Sequence, residues 1–272
     1  MPRAREDAFP QEKTMIQQLE KYLKEFHKVA VAYSGGVDST FLLATGARVL
    51  GRKNILALTI ESPLTPAWEI DFAKGFCSTR GIPQVLLDGS GILENEHFVR
   101  NPADRCYFCK TKVLQMVKSA APKGYTLLTG TNATDVSDFR PGMKAEEEIG
   151  VKTPLREQGI TKDQIREFSR IYAIPGSERP PCACFATRIP YGQSVTLDKI
   201  EKIKRAEVFL RDRGFETVRV RMIAKDTASI EVAKEKIQDV FRHREAISKF
   251  LRGIGFLRMT ADLEGYGQGK LN

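Results

Sequence analysis

Short apolar runs alternate with stretches that carry an apolar position every three or four residues through the first two thirds of this chain. Val29 to Tyr33 is a run of the strand kind, ending in Ser34-Gly35-Gly36, and Ser39 to Leu50 follows with helical periodicity and good helix formers. The same pattern returns with a strand at Ile55 to Ile60, a helix at Ala67 to Arg80, and further strands at Gln84 to Leu87 and Tyr125 to Leu128. Strands alternating with helices predict an α/β fold with a doubly wound, mostly parallel sheet covered on both faces. Ligands of such sheets lie at the carboxyl ends of the strands, which here carry the loops Ser34 to Thr40, Glu61 to Pro66 and Gly130 to Asp135.

The rhythm changes after Pro175. Pro180-Pro181-Cys182-Ala183-Cys184 and Arg188-Ile189-Pro190-Tyr191-Gly192 cannot continue a helix, and a domain boundary is expected near residue 190. Beyond it the pattern predicts a helix (Leu197 to Arg213), strands at Thr217 to Met222 and Ala228 to Val232, a second helix (Lys234 to Leu251) and a last strand (Phe256 to Asp262). The expected division is a large domain over 1–190 and a second, smaller α+β domain over 191–272.

Composition adds a charge bias. Lys and Arg exceed Asp and Glu to give a net charge of +9, with 17 basic and 12 acidic residues in the stretch from Leu197 onward. That field favours anionic partners such as nucleotides. No apolar run approaches the roughly 18 residues of a membrane span, and Met1 to Lys13 has no apolar segment of the signal-peptide kind, so a cytoplasmic protein with no membrane partner is expected. Five cysteines in a reducing compartment argue against a disulfide framework. Cys77 sits in an apolar helical stretch and reads as core.

The most informative chemistry is Ser34-Gly35-Gly36-Val37-Asp38-Ser39-Thr40. Glycines let the backbone approach an anion, and the amides at a helix start present donors and a positive dipole end to phosphate. Ser34, Ser39 and Thr40 add hydroxyls. A carboxylate at Asp38 would repel phosphate unless Mg2+ stood between them, so Asp38 is a candidate metal-side and catalytic residue. The segment resembles the S-G-G-x-D-S loop of the PP-loop ATP pyrophosphatases, which implies ATP cleavage between the α and β phosphates and an adenylated intermediate.

Four further segments narrow the resemblance: Asn101-Pro102 to Cys106-Tyr107-Phe108-Cys109-Lys110, Asp138 to Ala145, Arg188-Ile189-Pro190-Tyr191-Gly192, and Val218-Arg219-Val220-Arg221. Together with the loop they resemble the LarE family over nearly the whole chain. The resemblance implies an adenine nucleotide alpha hydrolase-like PP-loop fold and an ATP-dependent sulfur transferase. Its substrate there is pyridinium-3,5-biscarboxylate mononucleotide, converted to a thiocarboxylate for the nickel-pincer nucleotide. It also implies nucleotide contacts at Ala32, Ser34, Gly35, Gly36, Asp38, Ser39, Thr40, Gly130 and Arg140. Arg188, Arg219 and Arg221 are natural holders of the substrate's phosphate and carboxylates, because guanidinium binds such anions bidentately. Arg219 and Arg221, two apart on a strand, share a face. Lys110, Arg140 and Lys144 are candidates for ATP phosphates, against ordinary surface ion pairing.

The remaining cysteines bear on the sulfur source. Cys106 and Cys109 form a C-x-x-C pair and Cys182 and Cys184 a C-x-C pair. Resemblance to cluster-dependent thiolases implies a 4Fe-4S iron-sulfur cluster on Cys106, Cys109 and a third thiolate, Cys184 first and Cys182 second, with an open iron. Zn2+ on four thiolates and a sacrificial cysteine, Cys184 or Cys182 included, remain the competing readings. A tRNA thiolase and a zinc-containing ATP-binding protein are the competing functions, although nucleic acid is the less expected partner for want of a recognisable RNA-binding module. A homo-oligomer is expected; the sulfur donor is not legible.

Overall fold

The computed structural model describes residues 10–137, 142–180 and 183–267, the side chains of 10–13, 136 and 137 excepted. In chain order the elements are α1 (Pro10–Lys24), β1 (Val29–Ala32), α2 (Val37–Leu50), β2 (Ile55–Glu61), α3 (Ala67–Arg80), β3 (Gln84–Asp88), α4 (Glu96–Val99), α5 (Arg105–Ala120), β4 (Thr126–Leu128), α6 (Gly142–Ile149), α7 (Pro154–Glu157) and α8 (Lys162–Ile171). They continue with α9 (Leu197–Arg211), β5 (Val218–Ala224), β6 (Thr227–Val232), α10 (Ile237–Arg242), α11 (Arg244–Gly253) and β7 (Arg258–Ala261). None of the described helices is long and apolar enough to cross a membrane.

Two compact units emerge, and both are discontinuous in sequence. The first comprises residues 1–62, 67–92 and 106–182; the second comprises 63–66, 93–105 and 183–272. The first unit is an α/β layer structure on a four-stranded sheet of order β3-β2-β1-β4, with every pairing parallel. Period-two alternation along β1 explains how both faces are covered. Val29 and Val31 join a core with Leu19 and Leu23 of α1, Phe41 and Leu42 of α2, and Phe168 of α8. Ala30 packs the other way, with Leu58 and Val117 of α5. Cys77 lies inside the larger core at 1% exposure, and burial pushes its thiol up to about 12.

From β1 the chain crosses through α2 to β2 on one side, whereas β4 lies on the other. The loops after β1 and β4 therefore diverge at a topological switch point, the crevice where ligands of open α/β sheets bind.

The second unit is α+β. Its sheet has the order β5-β6-β7, with β5 antiparallel and β7 parallel to β6. The helix expected over Lys234 to Leu251 is interrupted: a 3-10 turn at Lys234–Lys236 precedes α10, and His243, at φ −96° and ψ 10°, separates α10 from α11.

Candidate functional site

The turn after β1 is built for close backbone approach. Gly35 has φ 77°, and a Cβ there would lie 2.9 Å from the Glu69 carbonyl, so glycine is required twice over. Gly36 stands at the N-cap of α2 without a side-chain cap, which leaves the first-turn amides of α2 directed into the crevice. Hydroxyls gather around them. Ser34 Oγ lies 3.2 Å from Ser39 Oγ and accepts from the Gly36 amide at 3.3 Å, while Ser39 Oγ donates to the Gly36 carbonyl at 3.1 Å. Thr40 donates to the Tyr33 hydroxyl at 3.4 Å, and burial is the main cause that raises the pKa of that phenol.

Across the switch point, Gly130 follows β4. A Cβ at Gly130 would lie 2.7 Å from the Ser39 amide nitrogen and 2.9 Å from its Cα, so the β4 loop abuts the first turn of α2 through bare backbone. The preceding hydroxyl, Thr129 Oγ1, is buried with no partner among the described residues. An unsatisfied buried hydroxyl beside uncapped amides is the polarity a nucleotide phosphate complements.

Two basic residues that sequence reasoning missed complete this end of the sheet. Lys162, the first residue of α8, donates to both oxygens of Asp38 at 2.7 Å. A cation in a helix's first turn opposes the helix dipole, and the carboxylate of Asp38 offsets it. Arg179 donates to the Gly35 carbonyl at 3.0 Å and to Glu69 at 2.6 Å, with its guanidinium 3.9 Å from the centre of the Phe72 ring. Both partnerships span more than a hundred residues, and no local pattern encodes them.

Cys106 and Cys109 occupy successive positions of one face in the first turns of α5, the former exposed and the latter partly buried. Two soft thiols one turn apart suit iron or zinc chemistry. In the first unit no third described cysteine, histidine or carboxylate gathers with them as a metal-holding group. Lys110 pairs with the buried Glu146 at 3.0 Å, and Glu146 also accepts from Thr131 at 2.7 Å. Lys144 is exposed, pairing with Glu148 at 3.7 Å and lying over the Tyr107 ring. Arg140 and Cys182 lie outside the described residues.

In the second unit, the predicted arginines are largely engaged with the protein itself. Arg188 is wholly buried: Nε and Nη2 donate to Glu207 at 2.9 and 3.1 Å, and Nη1 donates to the Ala183 and Cys184 carbonyls at 2.7 and 3.0 Å. Arg221 pairs with Glu231 at 2.5 Å and donates to the Thr187 carbonyl at 2.9 Å. Arg219 faces the Tyr266 ring at 5.1 Å and donates to its neighbour's carbonyl at 2.8 Å. The three arginines and Cys184 therefore belong to one folded unit. The Asn101-Pro102 and Arg188 to Gly192 segments also prove to be one structure: Asn101, at φ 59° and fully buried, donates to the carbonyls of Ile189, Pro190 and Gln193 at 3.2, 2.8 and 3.0 Å.

The parallel sheet with a glycine turn at its switch point, together with a separate small mixed sheet, defines an α/β protein of the PP-loop-like architecture. Comparison with known proteins narrows the class. The chain is 32% identical, over 92% of its length and 91% of the relative's, to the pyridinium-3,5-bisthiocarboxylic acid mononucleotide synthase of Lactiplantibacillus plantarum. It is 36% identical to an uncharacterized protein of Synechocystis sp. over 94% of its length and 96% of the relative's. An uncharacterized protein of Methanocaldococcus jannaschii is 26% identical over 88% of this chain and 90% of its own. No protein-family profile matches. The chain belongs to the family of the pyridinium-bisthiocarboxylate mononucleotide synthase, the LarE family.

Proposed function

We propose that this protein is an ATP-dependent sulfur transferase that adenylates a carboxylate of pyridinium-3,5-biscarboxylate mononucleotide and converts it to a thiocarboxylate, toward the nickel-pincer nucleotide. The carrying observation is membership of the synthase's family, joined to an uncapped glycine turn at the switch point of the sheet. A carboxylate oxygen attacks the α phosphorus of ATP, the bond to the bridging oxygen breaks, and pyrophosphate leaves. Sulfide then adds to the acyl carbon, the bond to the adenylate oxygen breaks, and AMP leaves.

The residues divide this work. The backbone amides of Val37, Asp38 and Ser39, with the hydroxyls of Ser34, Ser39 and Thr40, hold phosphates; Gly35 and Gly36 let the backbone approach them, Ala32 and Gly130 line the approach, and Arg140 belongs to the same set. Asp38 would hold Mg2+, which fits a carboxylate at the phosphate turn provided that Lys162 yields its two hydrogen bonds. Released in that way, Lys162 would neutralise the departing pyrophosphate. Arg219 and Arg221 would serve the substrate's anionic groups, Arg221 by giving up its pair with Glu231. Arg188 serves through position, because its bonds to the Ala183 and Cys184 carbonyls fix the backbone that carries the Cys184 thiol.

Cys106, Cys109 and Cys184, or Cys182 in place of the last, would hold a 4Fe-4S cluster, which when bound supplies an open iron for sulfide. Zn2+ is the competing occupant. Anaerobic loading with iron and sulfide should give broad absorption near roughly 400 nm. Asp38→Ala should then lose AMP formation, whereas Cys109→Ala should keep AMP formation and lose thiolation. Thiolation by Cys109→Ala, or by colourless zinc-loaded protein, would remove the cluster from the proposal.

A further inference from the structure

At the amino edge of the parallel sheet, away from the glycine turn, the first unit carries a second cleft of about 500 Å³, within the range of small-molecule sites. Its position follows from α2, whose first turn meets the glycine turn and whose last turns, Ala44 to Arg48, wall this cleft. The rest of the wall comes from the turn before β2, the end of α3 with the turn before β3, and the end of α8, with Ile82, Ile171 and Ile174 as apolar floor.

Three arginines, Arg48, Arg52 and Arg80, line it. Helices α2, α3 and α8 all end nearby, and positive charge there would be expected simply to offset their dipoles. That accounts for two of the three. Arg48 pairs with Glu20 at 2.7 Å and stacks on Tyr172 at 4.3 Å, and Arg80 donates to the Ala173 carbonyl at 3.1 Å. Arg52 is exposed and has no ion pair or hydrogen bond among the described residues, while its Nη1 is held where a Cβ on Gly81 would lie 3.1 Å away.

A second observation points the same way. Thr45, 1% exposed, lines the cleft with its hydroxyl unpartnered among the described residues. A helical threonine ordinarily satisfies that hydroxyl on the carbonyl one turn back, and a buried one left without a partner is costly. Ala173, at φ 49° where α8 ends, keeps a conformation that suits glycine on the same wall.

We propose that this cleft is a second ligand site, for a small amphipathic organic anion: an aromatic or short acyl body on the isoleucine floor, its carboxylate or sulfonate on Arg52, and a polar atom meeting Thr45. The site is distinct from the nucleotide turn, and its occupancy does not require the proposed sulfur chemistry.

Titration of the whole protein with anilinonaphthalene sulfonate, read by fluorescence, tests this. The account expects saturable binding to one site, undiminished by saturating ATP and Mg2+, weakened about tenfold or more by Arg52→Glu and abolished by Ala47→Phe, which fills the cleft. Arg52 is exposed and has no bond among the described residues, so its variant should fold even if the Ala47 variant does not. Lys249→Glu, on the second unit, should leave the affinity unchanged. Displacement by ATP, or affinity unaltered in Arg52→Glu, would overturn the proposal.

Discussion

Asp38 shows how far a single position can be read from sequence. Its place in the Ser34 to Thr40 segment marks it for chemistry, but its partner Lys162 lies 124 residues away and gives no local sign beyond being a lysine in a helix's first turn. Lys162→Met should leave the melting temperature nearly unchanged, since the lost ion pair is offset by removing a cation from the wrong end of α8. Pyrophosphate release should nevertheless fall by about two orders of magnitude, in the range of a lost transition-state contact; an unchanged rate would return Lys162 to a structural role. The Arg188–Glu207 pair was also hidden, because sequence presents Arg188 as a free anion holder and the fold buries it completely. Removing one partner, as in Glu207→Leu, should cost about 3–5 kcal/mol in denaturant unfolding, and the double change Arg188→Met with Glu207→Leu should cost less. Cys77 sets a pH limit. Its thiol is raised from 9.0 to about 12 by burial, so the folded state holds its proton more tightly than the unfolded chain. The stability this contributes is complete below pH 9 and is lost as pH rises toward 12; Cys77→Ala should flatten that alkaline decline, and thiol reagents should reach Cys106 well before Cys77.

At the scale of elements, the periodic pattern located β1, α2, β2, α3 and β3 to within about two residues, because buried β-branched runs and amphipathic helices are local signals. Helix α5 was less legible: its first turns carry Cys106-Tyr107-Phe108-Cys109, weak helix formers, and packing of Leu114 and Val117 decides the outcome. The break at His243 was likewise invisible, since apolar positions keep helical spacing across it. The meeting of the β4 loop with α2 yields a direct prediction. Gly130→Ala would force its Cβ to within 2.7 Å of the Ser39 amide, so ATP affinity should fall at least about tenfold for a stability loss of about 1–3 kcal/mol. Equal nucleotide affinity in calorimetry would show that the α2 turn is not where phosphate binds.

At the scale of the molecule, the fold class was written in the alternation of strands and helices, whereas the composition of the two units was not. Residues 93–105 and the short stretch 63–66 pack with the C-terminal residues, joined through hydrogen bonds such as Asn101 to Ile189 that no linear pattern announces. The central claim is that one protein activates a carboxylate with ATP and then replaces its oxygen with sulfur. The most direct measurement is an anaerobic reaction of pyridinium-3,5-biscarboxylate mononucleotide with ATP and Mg2+, following AMP, pyrophosphate and product mass together. The account predicts AMP and pyrophosphate in equal amounts and a product in which sulfur has replaced carboxylate oxygen. ATP turnover that ignores the pyridinium nucleotide, or release of ADP and phosphate instead, would contradict it.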